Sequence, residues 1–145
     1  MLSSYKIIFN QKKQKVDKKG KITAGFVYTK LEQFCQWYNQ EVFNEGCKYC
    51  GLTNEGSLNL YQMQRNGQRH DATRGGKRGK RLELDRRDPK LPYDDLHNIV
   101  WCCYWCNNAK SNFFSHIEFQ PIAIAIGQVL RKIIIDDSSL VKQNN

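Results

Sequence analysis

The chain has 145 residues and a mass of 17.0 kDa, which predicts a single domain with short appendages. Hydrophobic residues make up 40% of the sequence, and no apolar run approaches the roughly 20 residues that span a bilayer, so we expect a cytoplasmic protein without a membrane partner. The formal charge of +9 and the pI near 9.3 favour a polyanionic partner, of which DNA and RNA are the commonest.

The positive charge is concentrated in two blocks. Residues 1–30 hold eight lysines against one aspartate, or +7, and residues 65–90 hold ten lysines and arginines against four acids, or +6. A solvated surface or a disordered tail is the alternative explanation for each block. The candidate nucleic-acid contacts are Arg74, Lys77, Arg78, Lys80, Arg81 and Lys110.

Residues 1–28 are predicted to be a flexible basic arm, with a short strand at residues 5–9. An amphipathic helix is predicted from Thr29 to Asn44, because apolar residues recur there at intervals of three and four. Thr29 and Glu32 form a candidate capping box for this helix.

Two cysteine pairs with identical spacing follow, Cys47 with Cys50 and Cys103 with Cys106. Two residues between thiols allow one turn to direct both sulfurs at a single ion, and two such turns supply the four tetrahedral ligands that zinc prefers. A disulfide framework is the alternative, although no signal peptide accompanies it. Cys35 and Cys102 are left over as expected core residues.

Between and after the pairs, the sequence predicts a polar loop over 51–80, strands over 81–86 and 98–102, and a helix from the second pair to about residue 114. Ser115 and Glu118 form a capping box for a last helix over 116–133, in which Pro121 falls late for the first turn. Residues 136–145 are predicted to be a polar tail, so the main domain covers 29–135 and its zinc-bearing core 47–115.

Four polar residues stand at the ends of these elements: Asp85, Arg86, Asn98 and Asn107. Together with the two cysteine pairs, this pattern resembles the HNH endonucleases, whose ββα-metal unit carries Asp-His, Asn, and Asn or His at the matching positions. The resemblance implies an α+β fold, in which a small hairpin-and-helix core with a structural zinc is flanked by N-terminal and C-terminal helices.

Arg86 departs from the family pattern, because it replaces the usual general-base histidine and cannot take a proton near neutral pH. The resemblance is nearest to the PacI-like restriction endonuclease branch, which also has Asp-Arg here. It implies that Asp85 and Asn107 bind catalytic Mg²⁺ or Mn²⁺, that Arg86 contacts the scissile phosphate, and that Asn98 holds the loop. The candidate bases are Tyr49, His70, His97 and a water molecule, with Tyr49 favoured.

The resulting hypothesis is a divalent-metal-dependent endonuclease that hydrolyses double-stranded DNA in restriction, defence or a mobile element. A non-catalytic zinc-finger DNA-binding protein and an RNase of the same fold are the alternatives. A homodimer would be expected to form through the last helix, around Ile122, Ile126 and Val129.

Overall fold

A computed structural model describes the backbone of residues 2–72 and 78–143, and the side chains of 5–72 and 78–138. Six α-helices, one turn of 3-10 helix (Leu96–Asn98) and four short strands form these parts of the chain. In chain order they are α1 (Leu2–Lys12), β1 (Lys15–Val16), β2 (Ile22–Thr23), α2 (Leu31–Trp37), α3 (Gln40–Asn44), α4 (Asn54–Arg65), β3 (Glu83–Arg86), β4 (Ile99–Cys102), α5 (Tyr104–Lys110) and α6 (His116–Gln143).

The antiparallel hairpin β3–β4 and the helix α5 form the centre of the molecule. In the hairpin, Leu84 pairs with Trp101 and Asp85 pairs with Val100. Because successive side chains of a strand point to opposite faces of the sheet, Leu84 and Asp85 face opposite sides. Leu84 and Trp101 are buried in the core. Glu83 and Asp85 face α5, which begins two residues after β4 ends.

The N-terminal segment is folded, and the prediction of a flexible arm with a strand at 5–9 is wrong. Residues 2–12 form α1, and β1 pairs with β2. Phe9 and Phe26 are only 2% and 3% exposed, and both contact Phe34 of α2. These aromatic contacts supply the burial that stabilises α1.

The predicted helix over 29–44 is two helices, because Tyr38 is extended and Asn39 caps α3 by accepting from the amide of Glu41 at 2.9 Å. Thr29 is not the cap that the sequence predicts. Its hydroxyl donates to Asp94 at 2.6 Å and its amide donates to the same oxygen at 2.7 Å. Although partial burial acts to raise the pKa of Asp94, these bonds hold that pKa below its usual value.

Two further segments are more helical than the sequence predicts. Within the predicted loop over 51–80, Asn54–Arg65 forms α4, which Thr53 caps by accepting from the amide of Gly56 at 3.0 Å. Ser115 caps the last helix by accepting from the amide of Glu118 at 3.3 Å, but the Glu118 carboxylate accepts from the Ser115 hydroxyl and not from its amide, so half of the predicted capping box forms. The last helix, α6, continues to Gln143, so residues 136–143 are helical rather than a tail. No helix in the described ranges is long and apolar enough to cross a membrane.

Candidate metal centre and active site

The two cysteine pairs meet in one buried cluster. The sulfurs of Cys47, Cys50, Cys103 and Cys106 all lie within 4.8 Å of one another, and those of Cys50 and Cys103 are 3.7 Å apart. A tetrahedral site with Zn–S distances near 2.3 Å has S···S edges of about 3.8 Å, whereas a disulfide bond is about 2.05 Å long. The cluster therefore fits a structural zinc ion rather than a disulfide.

Tight turns direct these sulfurs inward. The amide of Gly51 donates to the carbonyl of Cys47 at 2.8 Å, and Gly46 has a φ of +87° beside the carbonyl of Leu52. A Cβ at Gly46 would lie 2.5 Å from that carbonyl oxygen, so only glycine fits. The amide of Lys48 donates to the carbonyl of Trp101 at 2.8 Å, which attaches the first turn to the edge of β4.

The other two cysteines, Cys35 and Cys102, are not among the four candidate ligands. Cys35 is half-buried on α2, and Cys102 is fully buried on β4, where its thiol donates to the carbonyl of Cys103 at 3.2 Å. Burial raises the pKa of Cys102, whereas the nearby thiols of Cys102 and of the other three cluster cysteines lower the pKa of Cys47. A thiolate at Cys47 is the form that binds a metal ion.

Asp85 is only 6% exposed and forms the centre of a buried polar network. Its Oδ2 accepts from the Tyr49 hydroxyl at 2.7 Å and lies 3.1 Å from the Lys110 ammonium. Lys110 also donates to the carbonyl of Arg86 at 2.7 Å and has no exposed surface. The prediction that Lys110 contacts nucleic acid is therefore wrong, because its charge is used inside the protein to fix two neighbouring residues of the motif.

The Tyr49 hydroxyl is a hydrogen-bond donor in this arrangement. Burial, followed by the charge of Asp85, raises the pKa of Tyr49 above its usual value. Both effects disfavour the phenolate that a general base requires. In the observed geometry, the hydrogen bond from the Tyr49 hydroxyl holds the carboxylate of Asp85 in place.

The guanidinium of Arg86 contacts both the loop that connects the two strands and the segment that follows α5. It donates to the carbonyl of Leu91 at 3.2 Å and to Oδ1 of Asn112 at 3.0 Å, and it lies 4.7 Å from the centre of the Tyr93 ring. These contacts use two of the five N–H donors. The side chain is half-buried, so the remaining donors can reach an anion at the protein surface.

Asn98 and Asn107 have different environments. Asn98 accepts from the amide of Asp88 and donates to its carbonyl, each at 2.9 Å, so it holds the hairpin loop as the resemblance implies. The Nδ2 of Asn107 donates to Glu83 at 2.8 Å. Within the described residues, Oδ1 of Asn107 and Oδ1 of Asp85 make no hydrogen bond. Amide and carboxylate oxygens of this kind are the ligands that Mg²⁺ and Mn²⁺ prefer.

A cleft of about 540 Å³ opens beside the free edge of β3. Asn107 contributes to its wall. Four basic residues also line it: Lys12, Arg78, Lys80 and Arg81. Arg74 and Lys77 lie outside the described residues. His70 and His97, the other candidate bases, are exposed.

Sequence reasoning missed two contributions to this site. Lys12 belongs to the segment that was predicted to be an arm, yet α1 brings it to the cleft. Glu83 accepts from Asn107 and forms a two-point ion pair with Arg78. The alternation of β3, which places Glu83 on the same face as Asp85, is the signal that would have found it.

Comparisons with known proteins show what this architecture is similar to. No protein-family model and no curated protein matches the chain. A solved structure of the rare-cutting HNH restriction endonuclease PacI matches it with a TM-score of 0.57 and 24% identity, over 88% of this chain and 78% of that chain. This likeness confirms the expected fold class, an HNH-like α+β fold.

Proposed function

We propose that the chain is a divalent-metal-dependent HNH endonuclease that hydrolyses phosphodiester bonds of double-stranded DNA, in restriction, defence or a mobile element. One observation carries the proposal. On the ββα core, Asp85 and Asn107 each keep an oxygen without a hydrogen-bond partner in the described residues, and Asn107 lines a basic cleft. The fold shared with the HNH restriction endonuclease PacI supports it.

Asp85 and Asn107 would hold the catalytic Mg²⁺ or Mn²⁺, and the four clustered cysteines the structural zinc. When bound, the catalytic cation supplies stabilisation of the charge that develops on the phosphate. Lys110 and Tyr49 hold the Asp85 carboxylate in one orientation. Basic residues of the cleft bind the DNA backbone, and Arg86 offers a planar donor pair to the scissile phosphate.

Cleavage of supercoiled plasmid DNA tests the proposal directly. The purified protein should nick or linearise plasmid in Mg²⁺ or Mn²⁺ and be inactive in EDTA. Binding of duplex DNA without cleavage in either metal would favour the non-catalytic zinc-finger alternative. Preferential cleavage of RNA under the same conditions would make the protein an RNase of this fold.

Arg86→Ala should lower the single-turnover cleavage rate at saturating Mg²⁺ by about 10²- to 10³-fold, because it removes the planar donor pair that is proposed to bind the scissile phosphate. Arg86→Lys should fall between wild type and Ala, since it keeps the charge without the planar fork. Arg87→Ala is the matched control, because it removes the same charge one residue along the chain, where the guanidinium contacts His116 instead. Equal rates for the Ala variants of both arginines would argue against this role for Arg86.

The basic cleft predicts a change in the salt dependence of DNA binding. Replacing Lys80 and Arg81 together by Ala should reduce the slope of log affinity against log salt by about 2, since each phosphate contact contributes about 0.9. Lys18 and Lys19, exposed between β1 and β2, provide a control pair with the same charge change. An equal fall in slope for the control pair would show that the cleft has no special role.

The outer face of α6 supports the homodimer as a further part of the proposal. Residues 119–130 contain no charged side chain, and Ile122 and Val129, which lie seven residues apart on one side of the helix, are 39% and 59% exposed. Ile126 packs against the core instead, so it does not belong to this face. Glu118, Ala125 and Lys132 follow one another at seven-residue intervals. In an antiparallel pair centred on Ala125, Glu118 of one copy would meet Lys132 of the other.

Val129→Glu should therefore convert a dimer at micromolar concentration into a monomer in sedimentation-velocity runs. The substitution places a charge in the middle of the paired face without touching the core, because Val129 is exposed. Val42→Glu, an equally exposed valine on α3, serves as the control. A wild-type monomer on DNA, or a Val129→Glu variant that stays dimeric, would remove this part of the proposal.

A further inference from the structure

A chain of charged contacts connects the cleft to Asn107. The guanidinium of Arg78 donates twice to Glu83, from Nε to Oε1 at 2.8 Å and from an Nη to Oε2 at 2.5 Å. Oε2 of the same carboxylate accepts from Nδ2 of Asn107 at 2.8 Å. Arg78 also lies 4.8 Å from the centre of the Tyr104 ring, at the start of α5. The ion pair therefore joins the strand that carries Asp85 to the helix that carries Asn107.

The chemistry of the carboxylate determines which end of the amide faces it. An ionised carboxylate only accepts hydrogen bonds, so it must be met by the NH₂ group of Asn107 and not by its carbonyl oxygen. A side-chain amide that is free to turn can present either group to a cation, and only the oxygen can ligate one. Glu83 therefore selects the orientation of Asn107 that leaves Oδ1 available.

We propose that Glu83 is the positioning residue for Asn107, which it holds with Oδ1 directed toward the catalytic cation, and that Arg78 in turn holds Glu83. This inference rests on the proposed function. It gives Glu83 no contact with the cation or the DNA, and it explains why a carboxylate lies in a cleft whose other charged residues are basic. Outer contacts of this kind typically change metal affinity by ten- to hundredfold.

The experiment is a titration of the zinc-loaded full-length protein with Mn²⁺ without DNA, followed by electron paramagnetic resonance of the free ion. Glu83→Ala should weaken Mn²⁺ binding about ten- to hundredfold. Glu83→Gln should restore most of the affinity, because its carbonyl oxygen can accept from Asn107. Glu41→Ala, which removes an exposed carboxylate on α3, should bind Mn²⁺ like wild type.

A double-mutant cycle distinguishes positioning from a general loss of negative charge. In an Asn107→Ala background, Glu83→Ala should cause no further loss of Mn²⁺ affinity, since there is no amide left to orient. Additive losses, or a Glu83→Ala variant with wild-type affinity, would overturn the inference alone. If Asp85→Asn binds Mn²⁺ as tightly as the wild-type protein does, the proposed function is overturned, and this inference with it.

Discussion

Asp85→Asn is expected to lower the rate of metal-dependent DNA cleavage by about a thousandfold, equivalent to about 4 kcal/mol of transition-state stabilisation. The substitution removes the charge that attracts the cation while keeping a side chain that can accept from Tyr49. It also leaves the buried ammonium of Lys110 without a counter-charge, so a lower melting temperature should accompany the loss. Single-turnover cleavage at saturating Mg²⁺, measured below that temperature, checks the rate.

Asn107→Ala separates the chemistry from stability. Asn107 is half-buried and its amide donates only to Glu83 in the described structure, so the variant should melt close to wild type while cleavage falls by a similar factor. DNA affinity in EDTA should be unchanged for both variants, because the basic residues of the cleft remain. Asp136→Asn, an exposed acid of α6, is the control. Wild-type cleavage rates in both site variants would show that the motif has been misassigned.

The central hairpin and helix could be predicted because the sequence signals that specify them lie within a few residues of one another. The spacing of the cysteine pairs, the alternation of residues 82–85 and the position of Asn107 directly after Cys106 each specify one element. Those elements lie close to where the sequence places them, although the helix predicted to reach about residue 114 ends at Lys110. The cap that Ser115 provides is equally local, since its hydroxyl and the amide of Glu118 lie within one turn.

The errors arise where burial depends on distant residues. The eight lysines of residues 1–30 suggest a solvated arm, and only the contact of Phe9 with Phe26 and Phe34 reveals a packed helix. Lys110 carries the same charge as the lysines of the cleft, and its interior position depends on a carboxylate 25 residues earlier in the chain, Asp85. The sequence gives the charge of each such residue, but it does not show which of these side chains are exposed to solvent.

Cys106→Ser is expected to remove the structural zinc and unfold the domain. Binding of zinc to a site of four cysteines is worth on the order of 10 kcal/mol, comparable to the whole stability of a small domain. Cys106 is fully buried, and its sulfur lies within 4.8 Å of the other three. Elemental analysis should find one zinc per wild-type chain and much less in the variant, and circular dichroism should show loss of the cooperative thermal transition.

Cys102→Ser provides the matched control, because Cys102 is equally buried beside the cluster but is not one of its four ligands. Its thiol donates to the carbonyl of Cys103, and a serine hydroxyl can make the same bond, so zinc content should stay at one per chain. Equal zinc loss in both variants would mean that the substitution acts through packing rather than ligation. A wild-type chain that is folded and free of zinc would exclude the zinc site itself, and the four sulfurs would then need another explanation for their convergence.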